Sequence, residues 1–535
     1  MLESRLMARH VILVNGNIVT LDEQMPRARA VVLRGDEIVY VGDDATARTF
    51  RQRDSTLIDL RGKLALPAFT DAHIHFTGFA QSLENVDLRD CRSQQEAVER
   101  VRARAAQTPP GQLIWGGGWN NAEWENPTFP DKHALDAVAP HHPVILTRQD
   151  GHSVWVNSLA LQNARITRDT RAPDGGVIDR DARGEPTGIL RENAIDLLGG
   201  GIGAFGNAIR QDTLQRAIMH AHSRGITTIH NIEGTNAMRA FQDLRAAGKL
   251  TLRVAHSIPA AKLSHARALG LQRGLGDEWF RFQAIKIFAD GSLGSHTAEM
   301  REPFLDTPGN CGVGVTDSES MLDFARRAAE AKIDVWTHAI GDRAITRVLD
   351  VYAQLRAEGF ADARLRIEHA QHLHPSDVAR FRALNVFASM QPLHQPSDMF
   401  VADALLGRER AAWTYAFKAL LDAGATLAFG SDCPVEKLDP LLGIHAAVTR
   451  QNAAGEPAQG WYPEQRISVL DAVRAYTLGA AQSVGDDMRA GSLTVGKRAD
   501  VVVWNENIFE IPAREILHVT VTHTLSGGQV VYATE

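Results

Sequence analysis

Hydrophobic and polar positions change period along the chain, and the changes mark its parts. The first fifty or so residues carry short β-branched runs broken by Gly and Asp turns, as in "VILVNGNIVTLD", "RAVVLRGDEIVYVGDD" and "STLIDLRGKLALP", which predicts a β-meander. The same texture returns near the end, in "GSLTVGKRADVVVWNEN" and "VTHTLSGGQVVYAT". Between these ends, short apolar runs alternate with Ala-, Leu- and Arg-rich stretches of helical character, the rhythm of a parallel sheet with helices outside. The apolar runs are "LALPAFTDAHIH", "GITTIHNIE", "LTLRVAHSI", "FQAIKIFADG", "KIDVWTHAIGD", "LRIEHAQH", "NVFASMQ" and "ATLAFGSDCPV". Eight such strands close a TIM barrel. The sequence therefore predicts an α/β chain, with a TIM (β/α)8 barrel over residues 67–484 and a composite β-sandwich from residues 1–66 and 485–535.

The gap between the first and second barrel runs, at about residues 81–210, is far longer than a usual crossover and rich in Gly, Pro, Trp and Asn, which predicts an insertion. A long loop at barrel strand ends commonly forms a lid or specificity wall. Its segments "WGGGWNNAEWENP" and "RQDGHSVWVNS" make Trp119, His152, Trp155 and Asn157 candidate substrate-binding residues, an aromatic wall with polar anchors. The alternative is that these Trp and Asn side chains form the insertion's own packed core. His152 is the residue most expected to meet substrate.

Composition narrows the class of function. The chain has 535 residues, 44% hydrophobic and 23% charged, with a net charge of -7, which is ordinary globular composition and offers no basic face for nucleic acid. Three cysteines, Cys91, Cys311 and Cys433, give no disulfide framework. With no signal peptide and no long apolar span, the expected location is the cytoplasm and the expected partner a small molecule, with neither nucleic acid nor membrane. The first six residues, before "MARHVILVNG", read as a dispensable extension.

The chemistry sits at the ends of the predicted strands. In "LALPAFTDAHIHF" the apolar run finishes in Asp71, His73 and His75. Strand residues two apart share a face, so His73 and His75 can share one metal. His338, His369 and Asp432 likewise end predicted strands, where barrel active sites are built. Lys286, in "FQAIKIFADG", joins the set awkwardly, since a charged amine beside a cation is repelled. Carboxylation by carbon dioxide would make it an anionic ligand able to bridge two metals. The alternative is a neutral or snorkelling Lys beside one metal. "GIGAFG", at residues 201–206, matches GxGxxG but follows "RENAIDLL", which reads as helix where a dinucleotide site needs a strand. Cys433 reads as a small filler beside Asp432.

Taken together, "ILVNGNIVTLD", "LPAFTDAHIHF", "DGHSVWVNSLAL", "IKIFADGSLGS", "THAIGDRA", "RIEHAQ", "GSDCPV" and "GKRADVVVWNEN" resemble the amidohydrolase superfamily, in its YtcJ-like (amidohydrolase type 3) branch, over essentially the whole chain. The resemblance implies that the TIM barrel is distorted, with His73, His75, Lys286, His338, His369 and Asp432 as metal ligands. One departure is Pro67–Ala68 where such proteins usually carry Pro-Gly. The expected cofactor is a divalent ion, zinc first, at one or two per chain, with N6-carboxylation of Lys286. The expected activity is hydrolysis of an amide-type C–N bond, in an N-acyl or N-formyl amine or amino acid, by metal-activated hydroxide. Asp432 is the expected general base, and His338 or His369 orients the carbonyl. A cyclic-amide hydrolase or deaminase on the same site is the alternative within chemistry, and a non-catalytic ligand-binding or regulatory protein the alternative outside it. A homodimer is common for such barrels, and no interface is legible in the sequence.

Overall fold

The computed structural model describes residues 9–89, 91–121, 124–148, 153–173, 175–198 and 209–534. It divides into two compact units, Met1–Phe79 with Leu214–Glu535, and Ala80–Thr213.

The larger unit holds an eight-stranded parallel sheet in chain order: Phe69–Ile74, Ile226–Ile232, Arg253–Pro259, Phe280–Phe288, Asp334–Ala339, Leu365–His369, Val386–Met390 and Leu427–Phe429. We call these barrel strands one to eight. Every residue of Phe69–Ile74 is buried, as is all of Phe280–Phe288 but its last residue, because helices cover a parallel sheet. Helix Asp342–Ala357 is one example. It buries Ile345, Val348, Leu349, Tyr352 and Leu355 at helical spacing, each contributing roughly 1.5–3 kcal/mol. The eighth strand meets the first beyond its own short ladder: Asp432 N–H donates to His73 O at 2.7 Å and His75 N–H to Cys433 O at 3.0 Å. The ring therefore closes through the residues that carry the chemistry.

Two further sheets in this unit come from the chain ends. Strands His10–Val14, Ala30–Arg34, Glu37–Gly42 and Thr56–Asp59 form one, while Asn17–Val19, Arg27–Ala28, Leu64–Pro67, Val501–Trp504, Val521–Ser526 and Gln529–Ala533 form the other. Val11, Leu13, Val31, Leu33, Val501, Val503 and Leu525 pack in a common core. The apolar run expected to be one barrel strand is thus two. Leu64–Pro67 pairs antiparallel with Val501–Trp504, and the chain changes sheets at Ala68, whose N–H donates to Asp500 O. Buried Arg253 of the third barrel strand binds both Asp500 and Asp36, which fixes this junction.

The second unit has a six-stranded mixed sheet over Val86–Asp87, Ile114–Trp119, Val144–Arg148, Ser153–Val156, Gly176–Arg180 and Pro186–Glu192. "RENAIDLL" is strand to Glu192 and then a short 3-10 helix, Asn193–Leu198. The "GIGAFG" segment lies outside the described residues, as does His152. Among the described residues, no helix is long and apolar enough to cross a membrane.

Candidate metal centre

Asp432 is the hub of the site. His73 and His75, projecting from the first strand end, bring Nε2 atoms to 3.4 and 3.3 Å from Asp432 Oδ1. From the other side, His394 Nε2 lies 3.9 Å from Oδ2. Two groups of metal-ligating side chains result, His73, His75 and Asp432, and His369, His394 and Asp432, the donor atoms of each within 4.8 Å of one another.

Close approach of strand eight to strand one is built into the sequence. A Cβ on Gly430 would stand 2.4 Å from His73 N and 2.8 Å from Asp71 Oδ1, so only glycine lets the strands meet. Asp71 accepts from the backbone N–H groups of His73 and Ser431, and burial raises its carboxyl to about 6. Asp432 and His369 both adopt left-handed backbone, with φ of 56° and 71°, a conformation that costs non-glycine residues about 1–3 kcal/mol and clusters at functional sites.

A buried polar layer orients the imidazoles. His73 Nδ1–H donates to Glu368 Oε2 at 2.7 Å. Glu368 is itself clamped by Arg366, through Nε to Oε1 at 2.8 Å and Nη2 to Oε2 at 3.0 Å. Both members of this ion pair are fully buried. Arg366 also donates to Ala72 O and Ser389 Oγ and meets His230 Nδ1. With Nδ1 committed to Glu368, His73 presents the Nε2 lone pair toward Asp432. His369 Nδ1–H donates to Gln391 Oε1 at 2.8 Å and His338 Nε2–H to Gly291 O at 2.9 Å, which frees His369 Nε2 and His338 Nδ1. The His369 ring centroid lies 4.8 Å from that of His73 and 4.6 Å from that of His338.

These donors fit a divalent cation. A bare imidazole nitrogen facing a carboxylate oxygen is repulsive unless a proton or an ion lies between. Asp432 Oδ1 and His394 Nε2 are buried and have no hydrogen-bond partner among the described residues, an arrangement costing about 1–3 kcal/mol per orphaned group. Histidine with carboxylate is a donor set that suits a divalent cation.

The electrostatics suit the same chemistry. Burial would raise the Asp432 carboxyl, but positive charge facing it, as ring protons on His73, His75 and His369 or as a cation in their place, holds it well below the usual carboxylate range. Burial lowers the Lys286 amine to about 8 against the opposing pull of Glu368 and Asp432; its Nζ sits 5.2 Å from the centroid of the Phe288 ring. Burial and the nearby Lys286 lower His338 to about 3, so its ring is neutral. Burial beside Asp71 and Asp432 pushes the Cys433 thiol up, which leaves it an unreactive filler.

Three of the substrate residues expected in the insertion lie within its own packing. Trp119 and Trp155 are fully buried in the second unit's own core, their indole N–H groups donating to Leu146 O and Asp131 O. Asn157 is fully buried too. It caps helix Ser158–Asn163 through Ala160 N–H, accepts from Val144 N–H and donates to His142 O and Ala139 O. These three side chains are thus buried, with backbone partners inside the second unit, and none of them is among the metal-ligating groups around Asp432. Sequence reasoning missed His394, Glu368 and Arg366. His394 lies beyond the seventh strand, at the start of helix His394–Ala411, so it has no strand-end signature.

Similarity to known proteins agrees with this geometry. The model of the amidohydrolase family matches residues 56–532. Protein LONG AFTER FAR-RED 3 of Arabidopsis thaliana is 36% identical, over 98% of this chain and 91% of its own. Putative amidohydrolase YtcJ of Bacillus subtilis is 32% identical, over 97% and 98%. N-substituted formamide deformylase of Arthrobacter pascens is 27% identical, over 98% of both. Among solved structures, a metal-dependent hydrolase from Pyrococcus furiosus superposes with a TM-score of 0.79 at 30% identity, covering 94% of this chain and all of that one. With the family model matching residues 56–532 and YtcJ similar over 97% of the chain, the chain belongs to the amidohydrolase family.

Proposed function

We propose that this protein hydrolyses an amide-type C–N bond, in an N-acyl or N-formyl amine or amino acid, with a divalent ion, zinc first, held by His73, His75, His369 and Asp432. The observation that carries the reading is the Asp432 carboxylate, whose Oδ1 faces His73 and His75 while His369 and His394 form a second group of donor atoms with the same carboxylate. When bound there, the ion supplies an acidified water, of pKa about 7, and a Lewis acid for the carbonyl oxygen. Asp432, kept ionised by the positive charge facing it, takes the proton of the attacking water and delivers it to the departing amine nitrogen. Neutral His338 offers its free Nδ1 lone pair as a further metal ligand; to orient the carbonyl oxygen instead, its ring proton moves to Nδ1 and the bond to Gly291 O is given up. The lowered Lys286 amine is neutral often enough to add carbon dioxide, giving a carbamate and a released proton.

The formyl end of this substrate class is supported by the deformylase relative, similar over nearly the full length. A non-catalytic role is less consistent with a buried carboxylate oxygen and imidazole nitrogen left unpaired, a cost that a purely structural site has no cause to keep. We place the protein in the cytoplasm, where a chain with only three cysteines and no disulfide framework in its sequence is at home.

The test is a panel of N-formyl and N-acetyl amines and amino acids, scored for carboxylate plus amine and separately for ammonia. Zinc-loaded protein should release formate or acetate with the amine. Chelation should remove the activity and zinc restore it, while Asp432→Asn lowers turnover by at least about 100-fold in a folded protein. Ammonia as the product would move the assignment to a deaminase. Activity indifferent to chelation or to Asp432→Asn would overturn the mechanism.

A further inference from the structure

We infer that Phe288 closes the acyl side of the centre, so that the substrate's acyl group is a formyl and its bulk lies on the departing amine. This inference rests on the amide-hydrolase reading above and narrows it from N-acyl amines at large to formamides.

Phe288 is the last residue of the fourth barrel strand and the one member of that strand that is not buried, with 47% of it exposed. Strand residues two apart share a face, so Phe288 follows Lys286 on the side directed into the barrel, and Lys286 Nζ lies 5.2 Å from the centroid of the Phe288 ring. In the parallel register Phe288 pairs with His338 of the fifth strand, and the two rings are 5.3 Å apart with 39° between their planes. The ring therefore stands at the mouth of the barrel, one layer above Lys286 and beside the imidazole assigned to the carbonyl end of the substrate.

Its place in the ring of strands decides which part of a substrate it faces. The eight strands run in chain order, so strand four lies across the barrel from strand eight, beyond whose end Asp432 stands. Asp432 delivers its proton to the amine nitrogen, which puts the departing amine on the strand-eight side. His338 marks the side of the carbonyl oxygen. The third substituent of the trigonal carbon is then left pointing at strand four and Phe288. A hydrogen there clears the ring, whereas a methyl or a longer chain meets it. The wall is also fixed. Phe288 O accepts from Thr316 Oγ1 at 2.6 Å, and Ala289 donates its N–H to His338 O at 2.9 Å and accepts from Val315 N–H at 2.8 Å. A side chain on a backbone tied to both neighbours sets the shape of a site more sharply than one on a free loop.

The experiment measures kcat/KM of the zinc-loaded, full-length protein for the formyl, acetyl and butyryl amides of benzylamine, beside calorimetric binding of formo-, aceto- and butyrohydroxamate. Formamides are also the more reactive amides in water, so the deciding quantity is the change in the formyl-to-butyryl ratio on substitution. Phe288→Ala should lower that ratio by at least about 10-fold, the low end of what one methylene is worth in an apolar pocket, with a rise in the butyryl value itself. Phe288→Leu should fall between. Hydroxamate affinity should decline with acyl length in wild type and lose that trend in Phe288→Ala. A residue that serves packing alone would lower all three amides together and leave the ratio and the hydroxamate order unchanged, and that result overturns the inference. Loss of zinc from both variants would overturn it too, by making Phe288 a support of the centre. A wild type that hydrolyses butyryl best refutes the wall and leaves the amide-hydrolase reading standing, while a wild type that hydrolyses none of the three overturns both.

Discussion

Glu368→Gln is a nearly isosteric change whose consequences follow from three short bonds. Glu368 accepts from Arg366 Nε at 2.8 Å, from Arg366 Nη2 at 3.0 Å and from His73 Nδ1 at 2.7 Å. A glutamine has one acceptor oxygen and must aim its NH2 somewhere. Turned toward Arg366, it sets donor against donor. Turned toward His73, it forces Nδ1 to accept and moves the ring proton to Nε2, the atom directed at Asp432. In both cases the fully buried Arg366 loses its counter-charge, a loss of about 3–5 kcal/mol when one partner of a buried pair is removed. Misorienting His73 should weaken zinc about 10–100-fold, which is about 1.4–2.7 kcal/mol. The assays are urea unfolding of stripped protein and competition for Zn2+ against a chelating dye at pH 7.5. Arg366→Met with Glu368→Leu separates the two effects. Replacing both charges by apolar groups should recover most of the stability, while zinc affinity stays reduced because His73 has lost its acceptor. A folded Glu368→Gln protein that binds zinc within twofold of wild type would refute the orienting role.

Two further predictions concern parts outside the centre. Asn157→Ala removes a helix cap and leaves the buried Val144 N–H without its acceptor, so the thermal midpoint should fall with a loss of about 2–4 kcal/mol and KM should not change; a raised KM at unchanged stability would return Asn157 to the substrate site. His222 is buried, with Nδ1–H donated to Ile226 O and Nε2 accepting from the Thr251 hydroxyl, and burial lowers it from 6.5 to about 4. The unfolded chain takes up a proton that the folded chain refuses between these values. Stability is therefore full above pH 6.5 and falls by about 3 kcal/mol as pH drops toward 4, visible as a falling urea midpoint that His222→Gln should partly flatten; equal pH slopes in both proteins would refute the assignment.

What could be read from the sequence was whatever has a period. Parallel strands covered on both faces are continuous apolar runs, and a ligand-type residue at the end of such a run stands out, as His73, His338, His369 and Asp432 do. Period fails where two elements abut. "LALPAFTDAHIHF" is unbroken because Leu64–Pro67 and Phe69–Ile74 are both buried, although the first belongs to the terminal sheet. Residue type fails where one side chain suits two uses. Trp and Asn serve a packed core with backbone partners as readily as a ligand wall, and the packing of Trp119, Trp155 and Asn157 with their backbone partners has no sequence period to announce it.

Arg366 and Glu368 expose a deeper limit. They are charged residues two apart in a strand, and local alternation would give them a polar face away from His369. The left-handed backbone at His369, with φ of 71°, breaks the alternation just where the strand ends. Glu368 can then reach His73 Nδ1 while the neighbouring His369 ring lies 4.8 Å from the His73 ring. The same device at Asp432, with φ of 56°, follows Gly430, whose missing Cβ allows strand eight to reach strand one. Two strained backbones and one glycine thus convert a repeating sheet into a convergent site. Their cost is set against ring closure: the backbone bonds from Asp432 to His73 and from His75 to Cys433 are both barrel ladder and scaffold of the centre. Loosening the site should therefore loosen the barrel, which is why its geometry depends on the closed fold and not on the motif alone.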